Sequence, residues 1–371
     1  MPKRPIRVVA VAGARPNFMK IAPLMHQLRS PDRQGAFETT LVHTGQHYDS
    51  QMSQSFFEEL DIPKPDVNLD VGSAPHGEQT AQVLSRMEPL LGEIQPDALV
   101  VVGDVNSTLA ATIAAVKLLI PVAHVEAGLR SFNRTMPEEI NRLLTDAVAH
   151  WLFTSEPAGA DNLRNEGVSE ERIHFVGNVM IDTLLANLER AKKLDTVERL
   201  GLTPGNFGLL TLHRPSNVDD PENLRRLFDV LEEIHQEVPI VFPVHPRTQQ
   251  VIENFLDGPP PQLKTTSPLG YLDFLCLMAE SKIVLTDSGG LQEETTALKI
   301  PCLTLRSDTE RPVTVTQGTN TIVGLEPQAI REAARRVLDG EVKPSTIPEG
   351  WDGLAAKRTV DILQRDLEEA S

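Results

Sequence analysis

The sequence predicts an α/β protein made of two doubly wound domains, each a parallel sheet with helices on both faces. Two observations carry this. Short apolar runs rich in Val, Ile and Leu alternate with amphipathic stretches, and such alternation implies right-handed βαβ units. The alternation also begins twice, and 371 residues exceed what one hydrophobic core ordinarily serves.

In the first series, 6–12 is an apolar strand and 17–29 an amphipathic helix. Further strands are expected at 39–42, 98–102, 121–125 and 151–154, with helices at 108–119 and 138–149. The second series places strands at 208–212, 240–242, 283–286 and 302–305. The expected domains are 1–180 and 181–354. A charged helix near 181–200, ending at Leu202-Thr203-Pro204-Gly205, is expected to join them. Gly258-Pro259-Pro260-Pro261 reads as a surface loop, and 355–370 as an amphipathic tail helix.

Composition narrows the function. Hydrophobic residues make up 40% and charged residues 23%, as in ordinary globular proteins. A net charge of −17 argues against general nucleic-acid or anionic-membrane partners. An anionic small molecule would need a locally basic cleft. The only cysteines, Cys276 and Cys302, lie among apolar neighbours and read as buried free thiols in a reducing compartment. No Cys/His spacing suggests a metal site, and no cofactor is expected. Met1-Pro2-Lys3-Arg4-Pro5 leads into a strand, not a signal sequence. The longest apolar stretch, 109–123, contains Lys117 and Pro121 and is too short to span a bilayer. A cytoplasmic enzyme is the expectation.

Parallel sheets bind ligands at the carboxyl ends of their strands, which selects the residues worth weighing. Ser288-Gly289-Gly290 follows the run 283–286 and opens a helix. Backbone N–H groups and the helix dipole there favour a phosphate, and glycines permit close approach. Glu294, farther into that helix, is placed to accept from ribose hydroxyls. Gly13-Ala14-Arg15-Pro16 carries one glycine where a dinucleotide fingerprint needs three. Arg15 and Lys20 suit a diphosphate, though a solvated helix start explains them equally well.

Asp104 stands directly at a strand end, where capping by Asn106 or Ser107 would not require it. Glu126 follows another buried strand, where a carboxylate needs a partner or a task. Glu138 and Glu139 follow Pro137 at a helix start and would help the dipole in any case. His213-Arg214-Pro215 suits anion binding or proton transfer. Arg311 is a candidate phosphate or sugar contact. Phe274 reads either as a core aromatic or as a stacking surface for a base.

A nucleotide site with strand-end carboxylates and a histidine, but no P-loop, disfavours phosphoryl transfer. Glycosyl transfer from a nucleotide sugar, proton chemistry on that sugar, and a non-catalytic sensor remain. The carboxylates favour proton chemistry, because inverting one carbon needs an acid and a base on its two faces.

Several ordered motifs then carry a resemblance over nearly the full chain. They are Gly13-Ala14-Arg15-Pro16, Thr44-Gly45-Gln46-His47-Tyr48-Asp49, Gly103-Asp104-Val105-Asn106-Ser107-Thr108 and His124-Val125-Glu126-Ala127-Gly128-Leu129-Arg130. Met136-Pro137-Glu138-Glu139-Ile140-Asn141-Arg142, Gly177-Asn178-Val179-Met180-Ile181-Asp182, Leu212-His213-Arg214-Pro215, 287–294 and Thr309-Glu310-Arg311-Pro312 continue the series. Together they resemble the non-hydrolysing UDP-N-acetylglucosamine 2-epimerases.

That resemblance implies a GT-B-like fold of two Rossmann-like domains, with the active site in the cleft between them and a last helix (355–371) returning to the first domain. It implies a UDP-sugar substrate and a homodimer. Carried over by position, Arg15, His213, Ser288, Gly289, Gly290 and Glu294 match UDP contacts, with Phe274 near the uracil. Lys20, Asp104, Glu126 and Arg311 match substrate-site positions. Asp104, Glu126 and Glu138 match the acid/base carboxylates, with His213 also counted among the catalytic candidates. The implied reaction is anti elimination of UDP to 2-acetamidoglucal and syn re-addition, giving the manno epimer.

The sequence departs from one bacterial branch in two places. Its loop Ser131-Phe132-Asn133-Arg134-Thr135 resembles the shorter form, and Gln46 is followed by Asp49 where that branch carries a second Gln of an activator site. Residues 131–134 also resemble a sister group acting on UDP-2,3-diacetamido-2,3-dideoxy-glucuronate, whose extra carboxylate would want a cation such as Arg134. A retaining glycosyltransferase is the rival of another class, since 287–294 resembles the acidic donor-site motif of such enzymes.

Overall fold

The structure is a computed structural model. It describes residues 4–45, 58–256 and 262–369, apart from the side chains of Arg15 and Pro16. The fold is α/β and GT-B-like, with two parallel sheets in two compact units. The units are Met1–Thr183 with Glu349–Ser371, and Leu184–Pro348.

The first unit runs β1 (Ile6–Ala12), α1 (Arg15–Leu28), β2 (Phe37–His43), β3 (Val67–Asn68), α2 (His76–Ile94), β4 (Ala98–Val102) and α3 (Asn106–Lys117). It continues β5 (Val122–Val125), α4 (Pro137–Val148), β6 (Trp151–Thr154), α5 (Pro157–Asn165), β7 (Ile173–Phe175) and the start of α6 (Val179–Ala191), a helix whose residues from Leu184 on belong to the second unit. The strands lie in the order β3-β2-β1-β4-β5-β6-β7. All pairs are parallel. Every residue of β4 is buried, which is why its sequence is uniformly apolar and does not alternate. Val9, Val11, Leu99 and Val101 pack with Met87 and Leu91 of α2 and Ala111 of α3 in one core cluster.

The second unit contains α7 (Thr196–Arg199), β8 (Gly208–Thr211), α8 (Pro215–Val218), α9 (Pro221–Glu237), β9 (Ile240–Pro243), α10 (Pro246–Phe255) and β10 (Lys264–Thr266). Then come α11 (Tyr271–Ala279), β11 (Ile283–Thr286), α12 (Gly289–Leu298), β12 (Cys302–Thr304), α13 (Pro312–Thr316), β13 (Asn320–Ile322) and α14 (Pro327–Leu338). Its parallel sheet has the order β10-β9-β8-β11-β12-β13. Both cysteines are buried and free. The Pro-rich stretch 258–261 and the motif residues 46–49 lie outside the described residues.

The chain returns to the first unit as α15 (Ala355–Glu369). The Asp182 carboxylate accepts from the backbone N–H groups of Ala355 (3.1 Å) and Ala356 (2.7 Å), closing the open start of that helix. Trp151 Nε1 donates to Asp366 at 2.8 Å, and Arg33 holds Gln364 and Asp361.

One expectation is corrected. The charged helix expected over 181–200 is two helices, α6 and α7, separated by a turn at 192–195. Lys193 N–H and Leu194 N–H reach back three residues to Arg190 and Ala191, the tightening that ends a helix. Tertiary bonds hold the restarted piece: Thr196 and Arg199 both donate to Asp273 of α11. Helical charge patterning carried no sign of that anchor.

In each unit the strand order reverses at one place, and a crevice forms there beyond the strand ends. In the first unit this lies between β1 and β4, and in the second between β8 and β11.

Candidate active site

At the β1/β4 switch, Asn17 joins the two strand ends. Its Oδ1 accepts from Ala14 N–H at 2.9 Å, and its Nδ2 donates to the Val102 carbonyl at 2.9 Å. One turn later in α1, Lys20 is 5% exposed and forms an ion pair with Glu126, which is also 5% exposed. Glu126 leaves β5 with φ +73°, a left-handed conformation that costs a residue with a Cβ about 1–2 kcal/mol. The N–H groups of Glu126 and Ala127 both donate to the Phe153 carbonyl at 3.0 Å, which holds the strained turn. Removing either member of a buried ion pair strands the other charge, at a cost of about 3–5 kcal/mol.

Asp104, at the end of β4, faces Arg142 of α4. Arg142 is buried and also pairs with Glu139 one helical turn before it, at 2.6 Å. Asn141 Nδ2 donates to the Asp104 backbone carbonyl at 2.9 Å. The adjacent glutamates of α4 are now distinguished. Glu139 is buried and accepts from the N–H groups of Ser131 (3.0 Å) and Phe132 (2.9 Å). Burial alone would raise its pKa, but the Ser131 N–H and the Arg142 charge hold it below the usual range. Glu139 therefore pins the 131–132 loop, whereas Glu138 is only half-buried.

At the β8/β11 switch, Asp287 is fully buried. It accepts from the N–H groups of His213 (3.0 Å) and Arg214 (2.9 Å) and from Asn217 Nδ2 (3.2 Å). Its Oδ1 meets His213 Nδ1 at 2.9 Å. Burial pushes the carboxyl up, but the His213 and Arg214 donors outweigh it and hold Asp287 below the ordinary carboxylate range. The ionised acid thus fixes the orientation of the His213 ring and favours a proton on Nδ1.

Ser288 precedes α12, and its N–H donates to Thr286 Oγ1 at 2.9 Å. Beside it, a Cβ at Gly289 would lie 2.6 Å from Arg311 Nη1 and 2.8 Å from Glu310 Oε1. The Arg311 guanidinium and the Glu310 carboxylate occupy the space that a side chain at this position would take. Gly290 is the second residue of the same helix. Arg311 is buried, with Nε 2.9 Å from Glu293 and Nη1 on Glu310. Burial raises the Glu310 pKa, but Arg311, Arg306 and Arg214 drive it far down. Glu294 is buried against the Tyr271 hydroxyl, which donates to it at 3.3 Å. Burial raises its pKa to about 8, with the Glu293 charge adding to the rise and the Tyr271 bond opposing it. Phe274 is half-buried on α11, one turn after Tyr271.

The first unit therefore gathers Lys20, Glu126 and Asp104 at its strand ends, with Glu138 on the neighbouring α4. The second gathers His213, Ser288, Gly289 and Arg311 at its own, with Glu294 farther along α12. Arg15 begins α1, but its side chain lies outside the described residues. Arg134 is exposed. Among the described residues, no group of three or more His, Cys, Asp or Glu could hold a metal ion. No helix among them is long and apolar enough to cross a membrane. The organising roles of Arg142, Asp287 and Tyr271 were not foreseen. A buried acid after an apolar strand was the available signal for Asp287, and helical spacing from Glu139 the signal for Arg142.

Comparison with known proteins identifies the family. A family profile described as UDP-N-acetylglucosamine 2-epimerase matches residues 29–364. The UDP-N-acetylglucosamine 2-epimerase of Methanocaldococcus jannaschii is 41% identical over 90% of this chain and 93% of its own. The UDP-2,3-diacetamido-2,3-dideoxy-D-glucuronate 2-epimerase of Pseudomonas aeruginosa is also 41% identical, over 97% of this chain and all of its own. A crystal structure of the M. jannaschii enzyme in complex with UDP-GlcNAc and UDP has a TM-score of 0.89 at 40% identity, covering 97% of this chain and 100% of that one. The chain belongs to the UDP-N-acetylglucosamine 2-epimerase family and is a UDP-sugar 2-epimerase, an isomerase.

Proposed function

We propose that the protein interconverts UDP-N-acetylglucosamine and UDP-N-acetylmannosamine without a cofactor. The supporting observation is the pair of carboxylates at neighbouring strand ends, Asp104 and Glu126, each facing a buried cation. Residues His213, Ser288, Gly289, Gly290, Glu294 and Arg311, with Arg15 and Phe274, hold UDP. A carboxylate from the set Asp104, Glu126 and Glu138 removes the proton from C2. The C1–O bond breaks with its electron pair going to the UDP oxygen, and C1 and C2 become doubly bonded in 2-acetamidoglucal. UDP then adds back to C1 as a second carboxylate delivers a proton to the other face of C2. Lys20 offsets negative charge beside Glu126 during both steps.

The second reading has UDP-2,3-diacetamido-2,3-dideoxy-glucuronate as the substrate. It is favoured by the P. aeruginosa relative, matched along its whole length, and by Arg134, exposed in the loop before α4, as a cation for the extra carboxylate. The reaction is followed by NMR in D2O with each sugar in turn. The proposal expects deuterium at C2 and a manno product from UDP-N-acetylglucosamine. Faster turnover of the uronate selects the second reading, and no exchange with either sugar defeats both. The homodimer implied by the family resemblance belongs to the same proposal and is checked by sedimentation equilibrium.

A further inference from the structure

Beneath the carboxylates of the first unit lies a buried group that the reaction does not consume. His124 sits in the middle of β5 and is 0% exposed. Its Nε2 lies 2.8 Å from the Gly103 carbonyl. A carbonyl only accepts, so this nitrogen donates. Its Nδ1 lies 2.6 Å from Asp146 Oδ1, and Asp146 is also buried. The second Asp146 oxygen accepts from Gly128 N–H at 3.0 Å and from Arg130 at 2.7 Å. Arg130 in turn is held by both oxygens of Glu166, at 2.8 and 2.6 Å.

These bonds end at two particular places. Gly103 immediately precedes Asp104, and Gly128 closes the turn that begins at Glu126. Both glycines and Glu126 have positive φ, at +66°, +79° and +73°. Both turns begin just past the last paired residues of β4 and β5, Val102 and Val125. Gly103 also donates to the Val125 carbonyl at 3.0 Å, so β5 grips that turn through both backbone groups. Gly128 cannot become another residue, because a Cβ there would lie 2.2 Å from the Gly159 carbonyl oxygen. One His–Asp pair thus joins the turn bearing Asp104 to the turn bearing Glu126.

We propose that His124 and Asp146 are positioning residues that set the placement of Asp104 relative to Glu126, and so couple loss of the C2 proton to its redelivery. This rests on the function proposed above. A simple role in tying α4 to the sheet would need only one of the two ends. The pair instead spans both turns, with no solvent around it and every polar atom engaged. If the two carboxylates drift apart, the glucal still forms but is reprotonated poorly, so it escapes with UDP.

The test uses the full chain and three variants. In His124→Asn the shorter amide keeps a bond toward Asp146 and loses Gly103. In His124→Gln the longer amide reaches the Gly103 carbonyl. Asp146→Asn removes the charge and leaves the shape. Turnover, KM for the UDP-sugar, and the ratio of free 2-acetamidoglucal to epimer are measured. Positioning predicts a fall in kcat of about 100-fold for His124→Asn, the scale expected for a displacement near 1 Å. It also predicts a nearly unchanged KM, a raised glucal-to-epimer ratio, and substantial recovery in His124→Gln. Amide hydrogen exchange, which needs no substrate, should show Gly128 N–H losing protection in Asp146→Asn.

Asn and Gln variants that lose activity equally, with the wild-type product ratio, would overturn the proposal. So would three variants that fail to fold, since the pair would then support the core alone. Failure of the proposed function appears separately, as wild-type protein that exchanges no C2 proton.

Discussion

Replacing Asp287 with Asn probes the second unit most directly. The carboxylate takes three N–H donors and faces His213 Nδ1 at 2.9 Å. An amide of the same shape offers one oxygen and one NH2. With its oxygen toward Arg214 and Asn217 it keeps those bonds but loses their charge assistance, a cost of about 1–3 kcal/mol. Its NH2 then faces Nδ1 and drives the ring proton to Nε2. The nitrogen that could accept a proton becomes a donor, so turnover should fall by about 100-fold or more. Asp287→Ala leaves the donors orphaned and should cost about 3–5 kcal/mol. The pH dependence has a definite sign. Asp287 is held below 3.8 when folded, so its stabilisation is full above the unfolded value and is lost as pH falls through the folded one. Urea unfolding of wild type and Asp287→Asn should therefore differ at neutral pH and converge as pH drops below about 4. An Asn variant with wild-type midpoint and wild-type turnover at pH 7 would refute this account of the His213 site.

Gly289→Ala should weaken UDP binding by at least about tenfold in calorimetry, because the added Cβ meets Arg311 at 2.6 Å and overpacking costs about 1–3 kcal/mol, against the helix gain of about 1 kcal/mol. Unchanged UDP affinity would show that Arg311 can move aside. Glu294 is raised from 4.5 to about 8, so the folded chain keeps a proton that the unfolded chain releases, and stability falls as pH rises from the lower value to the higher. Glu294→Gln should thus raise the thermal midpoint of the UDP-free protein at pH 8, leave it near wild type at pH 5, and lower UDP affinity. Asp104→Asn and Glu126→Gln should keep UDP affinity within about tenfold, or 1.4 kcal/mol, while abolishing most turnover. Equal losses in binding and rate would instead make both residues structural.

Much of the molecule was legible from the chain. The strands at 283–286 and 98–102 carry their signal locally, because a strand covered on both faces must be apolar throughout. The strand-end rule then singled out Asp104, Glu126, His213 and Ser288 before any contact was known. The partners of these residues were not legible. Lys20 meets Glu126 across 106 residues, Arg142 meets Asp104 across 38, and Asp287 meets His213 across 74. Residue type and spacing along the chain say nothing about contacts at that range.

The same division runs through the details. Local pattern determined that 289–298 is a helix opening on glycine, since strand, turn and helix periods are written in neighbouring residues. Tertiary packing decided what stands beside Gly289: the Arg311 guanidinium fills the space a side chain there would occupy. Local pattern placed two glutamates at the start of α4. Packing decided that Glu139 is consumed by the 131–132 loop and Arg142, and that Glu138 is not. Sequence determined which strand ends carry acids, because strands and their ends are local. The structure decided what charge faces each acid, because ion pairing and burial depend on chain segments that meet only when the sheet has formed.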